Sequence, residues 1–412
     1  MDDSTFLPYS RQHITPDDID AVTDVLRSDW LTQGPAVPAF EDNLADFLGA
    51  REVVACSSGT AALHLAMLTL GLGPGDAVIV PANTFVATAN CARFVGAEVL
   101  FADIDAGTGL IDPADVGALL EQDAERKIKA IIPVHFAGQP ADLPALYDLA
   151  NRHGAWLVDD ACHALGAAYV DNGQRYDVGN NPHSDLTIFS FHPVKHIAMG
   201  EGGAVVTNHK DLADRLRLFR SHGIRRQEFV DSDAAYSPDG IPNPWYYEMT
   251  DLGYNYRLTD IQAALGSSQL TRLRQSLTRR REIAAAYTEL LNRTFTDDAV
   301  RPLAVRPKIE HAYHLYVVSI AFERLGISRA AVMNRLRANG VGTQVHYIPV
   351  HLQPYYRALG TENGRKLRQA EAYYAGALSL PMYPELSFSD IKRVVSELEA
   401  ALVSQRQPAY RS

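Results

Sequence analysis

One lysine stands in the stretch of this chain best suited to covalent chemistry. Residues 186–200 carry a single formal charge, that of Lys195, and the chain has only seven lysines against thirty-one arginines. The apolar run 186–191 predicts a buried strand, and the glycines of residues 200–203 predict a turn. Burial lowers the pKa of a lysine and frees its amine as a nucleophile toward an aldehyde. Lys195 is therefore a candidate for covalent binding, although many single lysines are structural.

A small-residue turn upstream could bind an anion. Ser58, Gly59 and Thr60 follow an apolar run at 53–56 and precede a predicted helix at 60–70. Hydroxyls and free backbone N–H groups at the start of a helix suit a phosphate. The alternative is a serine that only caps a buried helix.

Two further segments have potentially functional side chains just after a predicted strand. Asp159 and Asp160 end the apolar run that begins at residue 156, at the edge where open α/β sheets keep their sites, and His163 follows one short turn later. Phe85 comes after the apolar run 77–80. The carboxylates could instead be helix caps, and the phenylalanine could be core packing.

Taken together, these four features fit one cofactor. Pyridoxal phosphate needs an anion cradle, an aromatic face for its ring, a carboxylate for its ring nitrogen and a lysine for its aldehyde. The sequence supplies these in the order phosphate turn, aromatic, Asp, and Lys195 with Ser190 five residues before it. We therefore expect pyridoxal 5'-phosphate, with pyridoxamine phosphate as its intermediate form.

The order of the predicted elements indicates an α/β fold. Predicted helices separate most of the predicted strands. The strands are at 53–56, 77–80, 99–101, 130–135, 156–158, 186–191 and 204–207, and the helices are at 60–70, 84–94, 143–152 and 212–221. This alternation predicts a mostly parallel sheet with helices on both faces. The last two strands are joined without a helix, which predicts one antiparallel strand.

The rest of the chain predicts a second, smaller unit. Residues 224–251 form a long irregular segment rich in proline and aromatics, which favours a functional loop. A helical stretch over 258–291 follows, then strands at 313–320 and 342–346 and helices at 328–339 and 389–404. We expect a large cofactor-binding domain over 1–257, and a linking helix with a small C-terminal α/β domain over 258–412.

Composition excludes several classes of partner. The 412 residues carry a net charge of -11, which argues against nucleic acid or an anionic membrane as the main partner. Cys56, Cys91 and Cys162 show no disulfide or metal-ligand spacing, and His346 with His351 lacks a third ligand, so we expect no metal. The start of the chain lacks a secretion signal and no apolar run reaches membrane-spanning length, so we expect a cytoplasmic protein.

Further motifs lie at residues 9–12 and 30–35, in the segment 191–196 around Lys195, and at residues 345–356. In these motifs and over nearly its whole length, the chain resembles the DegT/DnrJ/EryC1/StrS family of sugar aminotransferases, within the fold-type I pyridoxal-phosphate enzymes. It implies a large domain with a mostly parallel seven-stranded sheet, a smaller C-terminal α/β domain, and a homodimer with shared active sites.

The resemblance also implies roles for individual residues. Lys195 would bind the cofactor covalently and move protons, Asp160 rather than Asp159 would face the ring nitrogen, and His163 would lie beside the ring hydroxyl. The remaining implied cofactor contacts are stacking by Phe85 and phosphate binding by Ser58, Gly59, Thr60, Ser190 and, from the neighbouring subunit, Asn255. The implied substrate-lining residues are Leu31, Thr32, Gln33, Gly34, Tyr256, His346 and Tyr347. A loop residue capping the following helix is the alternative for Asn255.

Residues 191–196 and 346–356 resemble the branch of the family that aminates UDP-linked 4-keto-6-deoxy-N-acetyl sugars toward pseudaminic acid. The implied reaction moves an amino group from L-glutamate to C4 of a nucleotide-linked keto sugar, namely UDP-2-acetamido-2,6-dideoxy-β-L-arabino-hex-4-ulose. A GDP- or dTDP-linked sugar is the nearest alternative. Some relatives are dehydratases with histidine in place of the lysine, whereas this chain keeps Lys195. A non-catalytic regulatory role is a further alternative, disfavoured by the acidic charge and the lack of a helix-turn-helix pattern.

Overall fold

The computed structural model describes residues 6–360 and 365–403 as fifteen strands and fifteen α-helices. The strands are β1 Glu52–Cys56, β2 Ala77–Pro81, β3 Glu98–Ala102, β4 Ile128–Ile131, β5 Trp156–Asp160, β6 Ala168–Asp171, β7 Gln174–Asp177, β8 Leu186–Ser190, β9 Gly203–Thr207, β10 Ile224–Arg225, β11 Glu248–Met249, β12 Val300–Pro302, β13 Ile309–Glu310, β14 Tyr316–Ile320 and β15 Ala377–Leu380. The helices are α1 Pro16–Arg27, α2 Ala36–Leu48, α3 Gly59–Thr69, α4 Val86–Phe94, α5 Pro113–Gln122, α6 Leu143–His153, α7 Lys210–Arg220, α8 Ser232–Ala235, α9 Asp260–Thr271, α10 Leu273–Thr294, α11 Phe322–Leu325, α12 Arg329–Ala338, α13 Pro354–Leu359, α14 Arg368–Gly376 and α15 Phe388–Val403.

Seven strands form the main sheet, in the order β1-β9-β8-β5-β4-β2-β3. Strands β2, β3, β4, β5 and β8 run parallel, and β9 pairs antiparallel with both β8 and β1. The predicted mostly parallel sheet with one antiparallel strand is thus confirmed. Strands such as β2 and β9 are buried along their whole length, as expected where helices cover both faces.

Strand β4 is shorter than the sequence predicts. The apolar run predicts a strand over 130–135, but the regular strand ends at Ile131. Pro133 has no N–H to donate to a ladder, which interrupts the pairing. An isolated parallel bridge between Val134 and Asp160 resumes it, and the His135 N–H donates to the Asp160 carbonyl at 3.0 Å. The extension therefore still ties this segment to the end of β5.

The helical stretch predicted over 258–291 is two helices, α9 and α10, which meet at Arg272. No glycine or proline marks the break. The Arg272 guanidinium instead forms an ion pair with Asp18 of α1, whose side chain is fully buried, and Arg272 also donates to the His13 carbonyl. A tertiary contact therefore accompanies this interruption.

Two predictions in the C-terminal part need correction. Residues 342–346 form no strand, because only an isolated bridge between Gln344 and Ser379 pairs there. The strand predicted over 313–320 begins at Tyr316, since Tyr313 has a positive φ of 48°. Helices α12 and α15 were predicted, although the predicted end of the latter, Ser404, lies outside the described residues. Residues 224–251 hold only the short elements β10, α8 and β11.

Apolar side chains form two buried clusters. The larger surrounds the main sheet and includes Leu258, Leu277 and Tyr373 from the C-terminal part of the chain. The smaller contains residues of α10, α12, α15, β14 and β15, together with Leu7. The larger cluster thus includes residues from both sides of position 257. The predicted boundary between a domain of residues 1–257 and a domain of residues 258–412 therefore remains a prediction.

Candidate active site

A cleft of about 670 Å³ lies where β1, β5 and β8 end and β9 begins. Parallel strands present their carboxyl ends at one edge of a sheet, so residues distant in sequence meet there. The cleft is lined by ten of the predicted site residues: Ser58, Gly59, Thr60, Phe85, Asp160, His163, Ser190, Lys195, His346 and Tyr347. The structure therefore brings together the lysine, the carboxylate, the aromatic and the phosphate turn.

Lys195 lies in the turn after β8, and its side chain is half-buried. Burial lowers the pKa of its amine, while the nearby Cys162 and Asp160 oppose that change. A larger fraction of this amine is therefore neutral and nucleophilic than in an exposed lysine. The lysine lines the same cleft as Asp160.

The structure distinguishes the two consecutive aspartates at the end of β5. Successive side chains of a strand face opposite sides of the sheet. Asp160 lines the cleft, whereas Asp159 accepts a hydrogen bond from the Thr187 hydroxyl at 3.2 Å and lies 3.6 Å from His135 Nε2. Only Asp160 is therefore placed to meet a ligand in the cleft.

The phosphate turn is the N-terminus of α3. Ser58 caps this helix, because its hydroxyl oxygen accepts from the Ala61 N–H at 3.1 Å. Capping and anion binding are compatible here, since the hydroxyl hydrogen and the first backbone N–H groups stay available. The backbone packs tightly: a Cβ on Gly59 would lie 2.9 Å from Ser190 Cβ, and one on Gly203 would lie 2.4 Å from the Ser58 carbonyl. Glycine at both positions lets β8 and β9 close around the turn.

Phe85 and Tyr347 form an aromatic rim. Phe85 immediately precedes α4 and remains 55% exposed, so it is not the core residue that the alternative required. Its ring centroid lies 6.1 Å from that of Tyr347. The Tyr347 hydroxyl is 3.1 Å from His163 Nε2, and His163 is buried with no described hydrogen-bond partner for Nδ1. A hydroxyl-bearing ring in the cleft could satisfy that nitrogen.

A group of buried histidines lies near Lys195, and of these the sequence analysis missed His314. The rings of His314 and His163 have centroids 4.3 Å apart, and His196 lies 5.7 Å from His314. Burial lowers the pKa of all three, and it lowers that of His346 to about 3. These imidazoles are neutral at neutral pH. Only tertiary packing brings His314 beside His163, so the sequence carried no signal for His314 beyond its residue type.

Six predicted residues do not line the cleft of their own chain: Leu31, Thr32, Gln33, Gly34, Asn255 and Tyr256. Residues 31–34 lie beside the start of α9, because Thr32 bridges to Thr259 and the Gly34 N–H donates to Asp260. Tyr256 packs inward, with its hydroxyl 3.2 Å from His64 Nδ1. Asn255 is exposed, and Thr259 rather than Asn255 caps α9. The capping alternative for Asn255 is therefore wrong.

The described residues suit the predicted cofactor. Glycine-lined backbone at the start of α3 leaves room for a phosphate, Asp160 offers a negative charge, and Phe85 offers an open aromatic face. His163 Nδ1 would gain a partner, and Lys195 has an amine that burial makes less basic. Each property is one that pyridoxal phosphate requires of its site.

Similarity to known proteins agrees with this reading. Residues 12–399 match the DegT/DnrJ/EryC1/StrS aminotransferase family. The spore coat polysaccharide biosynthesis protein SpsC of Bacillus subtilis (strain 168) is 39% identical over 95% of both chains. PseC of Helicobacter pylori, an aminotransferase of pseudaminic acid biosynthesis, superposes with a TM-score of 0.84 and 30% identity, covering 97% of this chain and 100% of PseC. The PLP form of Spr1654 from Streptococcus pneumoniae superposes with a TM-score of 0.84 and 28% identity, over 97% and 99% of the chains.

The fold and the cleft define a fold-type I pyridoxal-phosphate enzyme. The chain belongs to the DegT/DnrJ/EryC1/StrS family and is a pyridoxal-phosphate-dependent sugar aminotransferase.

The described residues offer neither a metal site nor a membrane-spanning helix. Within residues 6–360 and 365–403, no group of three His, Cys, Asp or Glu side chains could hold a metal ion. Over the same residues, every helix is too short or too polar to cross a bilayer.

Proposed function

We propose that this enzyme transfers an amino group from L-glutamate to C4 of a nucleotide-linked 4-keto-6-deoxy sugar. The proposed acceptor is UDP-2-acetamido-2,6-dideoxy-β-L-arabino-hex-4-ulose, a precursor of pseudaminic acid. The observation that carries the proposal is the meeting of Lys195, Asp160, Phe85 and the Ser58 turn in one cleft. Similarity to PseC and the motifs at 191–196 and 346–356 support the choice of sugar.

The cleft residues divide the chemistry between them. When bound, the cofactor supplies an aldehyde carbon and a ring that can absorb a pair of electrons. The half-buried Lys195 amine, whose pKa is lowered, would attach the cofactor and would take and return protons at Nζ. The Asp160 carboxylate would face the ring nitrogen and favour its protonated form. The α3 N-terminus and Ser190 would bind the phosphate, and the Phe85 ring would stack on the cofactor ring.

An anionic nucleotide sugar requires local cations, because the protein as a whole has a net charge of -11. The segment 225–257 offers arginines and tyrosines, including Arg226, whose guanidinium lies 5.8 Å from the centroid of the Tyr247 ring. Arginine binds phosphate oxygens in a forked geometry, and tyrosine can stack on a sugar or a base. This segment is our candidate for nucleotide recognition.

We further propose a homodimer in which each active site takes Asn255 from the neighbouring subunit. Asn255 lies outside its own cleft. Large apolar side chains in the adjoining segment are exposed, with Trp245 at 72% and Leu252 at 75%. Exposed apolar surface of this kind often marks a protein contact. We propose that the partner at this contact is a second copy of the chain, and that each copy extends its Asn255 toward the cleft of the other.

A competition assay tests the substrate. The enzyme is given L-glutamate with UDP-N-acetylated, GDP-linked and dTDP-linked 4-keto-6-deoxy sugars, and the products are identified by mass, with Lys195→Ala as the control. We expect the UDP-N-acetylated sugar to have the highest kcat/KM. A preference for a GDP or dTDP sugar would contradict the pseudaminic acid assignment alone. Amination of 2-oxo acids but of no keto sugar would overturn the proposed function.

A further inference from the structure

A pair of threonines, Thr84 and Thr88, lies beside Asp160 at the wall of the cleft and has no role assigned so far. The Thr88 hydroxyl is 2.6 Å from Asp160 Oδ2, and the hydroxyls of Thr84 and Thr88 are 2.8 Å apart. Thr84 and Thr88 are no more than 1% exposed, and Asp160 is 5% exposed. The three groups thus form a buried chain of hydrogen bonds that ends at the cleft.

The charge of Asp160 sets the direction of this chain. An ionised carboxylate can only accept hydrogen bonds, so Thr88 must donate its single hydroxyl proton to Oδ2. Thr84 must then donate to Thr88. The distance of 2.6 Å falls in the range of a hydroxyl bonded to a charged oxygen.

The other carboxylate oxygen is held as well. Asp160 Oδ1 accepts from the Cys162 backbone N–H at 3.2 Å. Each oxygen of Asp160 therefore has a donor from the protein, the Cys162 thiol also hydrogen-bonds to this carboxylate, and two carboxylate oxygens together can accept about four hydrogen bonds. The spare capacity remains for a donor in the cleft.

Helix α4 connects this chain to the aromatic rim. Thr84 and Phe85 immediately precede α4, and Thr88 lies in its first turn. The β-branched threonine has few rotamers in a helix, so the backbone of this turn fixes the position of the hydroxyl. One short segment thus supplies both the Phe85 face and the hydrogen bond that orients Asp160.

We propose that Thr88, oriented by Thr84, is a positioning residue that holds the Asp160 carboxylate in the geometry required by the ring nitrogen of the cofactor. The proposal rests on the role of Asp160 given under the proposed function. Thr88 itself acts only through Asp160.

The test compares Thr88→Val, which removes the donor and keeps the shape, with Thr88→Ser, which keeps the donor. Binding of pyridoxal phosphate to the apo-protein is titrated by absorbance and fluorescence, which requires no sugar substrate. We expect Thr88→Val to bind roughly ten- to hundredfold more weakly and Thr88→Ser to stay within about threefold of the parent protein. Circular dichroism and thermal unfolding confirm that each variant is folded. Wild-type affinity in Thr88→Val, or an equal loss in Thr88→Ser, would overturn the proposal.

A double mutant separates positioning from general packing. If Thr88 acts through Asp160, adding Thr88→Val to Asp160→Asn should weaken cofactor binding by no more than about threefold beyond Asp160→Asn alone. Additive losses would contradict the proposal, because they would place the effect of Thr88 elsewhere. If Asp160→Asn itself binds and turns over like the parent protein, the role of Asp160 in the proposed function fails. An inactive Asp160→Asn beside an unaffected Thr88→Val would overturn this inference alone.

Discussion

Two neighbouring regions of the molecule differ in whether one chain supplies all the contacts that they require. The cleft at the carboxyl edge of the main sheet is lined by ten predicted site residues, and hydrogen bonds of 2.6 Å and 3.1 Å join Thr88 to Asp160 and Tyr347 to His163 there. The surface formed by residues 31–34 and 224–257 instead leaves Trp245, Met249 and Leu252 exposed. The first region brings the lysine, the carboxylate, the aromatic ring and the phosphate turn together within one chain. The second has the character of an unfinished interface, which is the basis for expecting a partner subunit.

The largest expected effect comes from removing the nucleophile of the complete region. Lys195→Ala should fold and bind pyridoxamine phosphate, because the phosphate turn, Phe85 and Asp160 remain. Its turnover should be lost, since no other described lysine lines the cleft. Amine transfer to a keto sugar, measured by product mass, checks this. Turnover near the parent rate would show that another group performs the proton transfers.

A smaller but still large loss is expected for Asp160→Asn. The amide has nearly the same shape but no charge, so it cannot stabilise a protonated ring nitrogen, and the rate should fall at least about a hundredfold. Asp159→Asn is the matched control, because Asp159 contacts Thr187 and His135 away from the cleft. Steady-state kinetics of both variants measure the difference. An active Asp160→Asn beside an inactive Asp159→Asn would mean that the carboxylates have been assigned in the wrong order.

The incomplete region can be tested by mixing subunits. Asn255→Ala and Lys195→Ala would each impair the homodimer, but a mixed dimer would contain one site with both Lys195 and Asn255 intact. We expect mixing to restore up to about half the parental activity per mixed dimer, as two shared sites per dimer require. Differently tagged subunits verify the exchange. No recovery after complete exchange, or an active monomer, would contradict the shared site.

The smallest effect is expected on stability, at the break between α9 and α10. Burial raises the pKa of Asp18, but hydrogen bonds and charge from Arg272, with further bonds from Thr15 and Ser268, outweigh it and lower the pKa. The ion pair should therefore stabilise the fold above the ordinary pKa of aspartate and cease to do so as the pH falls through the lowered value. Asp18→Ala should lose about 1–2 kcal/mol near neutral pH, because the Arg272 partner is partly exposed, whereas the exposed Asp17→Ala should lose little. Unfolding by urea measures both, and equal stability of the two variants would contradict this account.

The sequence predicted those parts of the fold and of the site that depend on the hydrophobic pattern of neighbouring residues along the chain. Lys195, Asp160, Phe85 and Ser58 each follow a strand that hydrophobic pattern reveals, and parallel strands bring such positions together without further information. The strand over 342–346 was predicted wrongly, because a short segment does not show by itself whether a neighbouring strand pairs with it. Thr88 and His314 lie in segments of ordinary composition, and only their neighbours in space give them a role.

Covalent attachment of the cofactor to Lys195 is the central claim, and one measurement tests it directly. The enzyme loaded with pyridoxal phosphate is reduced with borohydride, digested, and mapped by mass spectrometry. The account predicts a phosphopyridoxyl group on Lys195 in the parent protein and its absence in Lys195→Ala. A label on any of the other six lysines of the chain, with Lys195 unmodified, would contradict it.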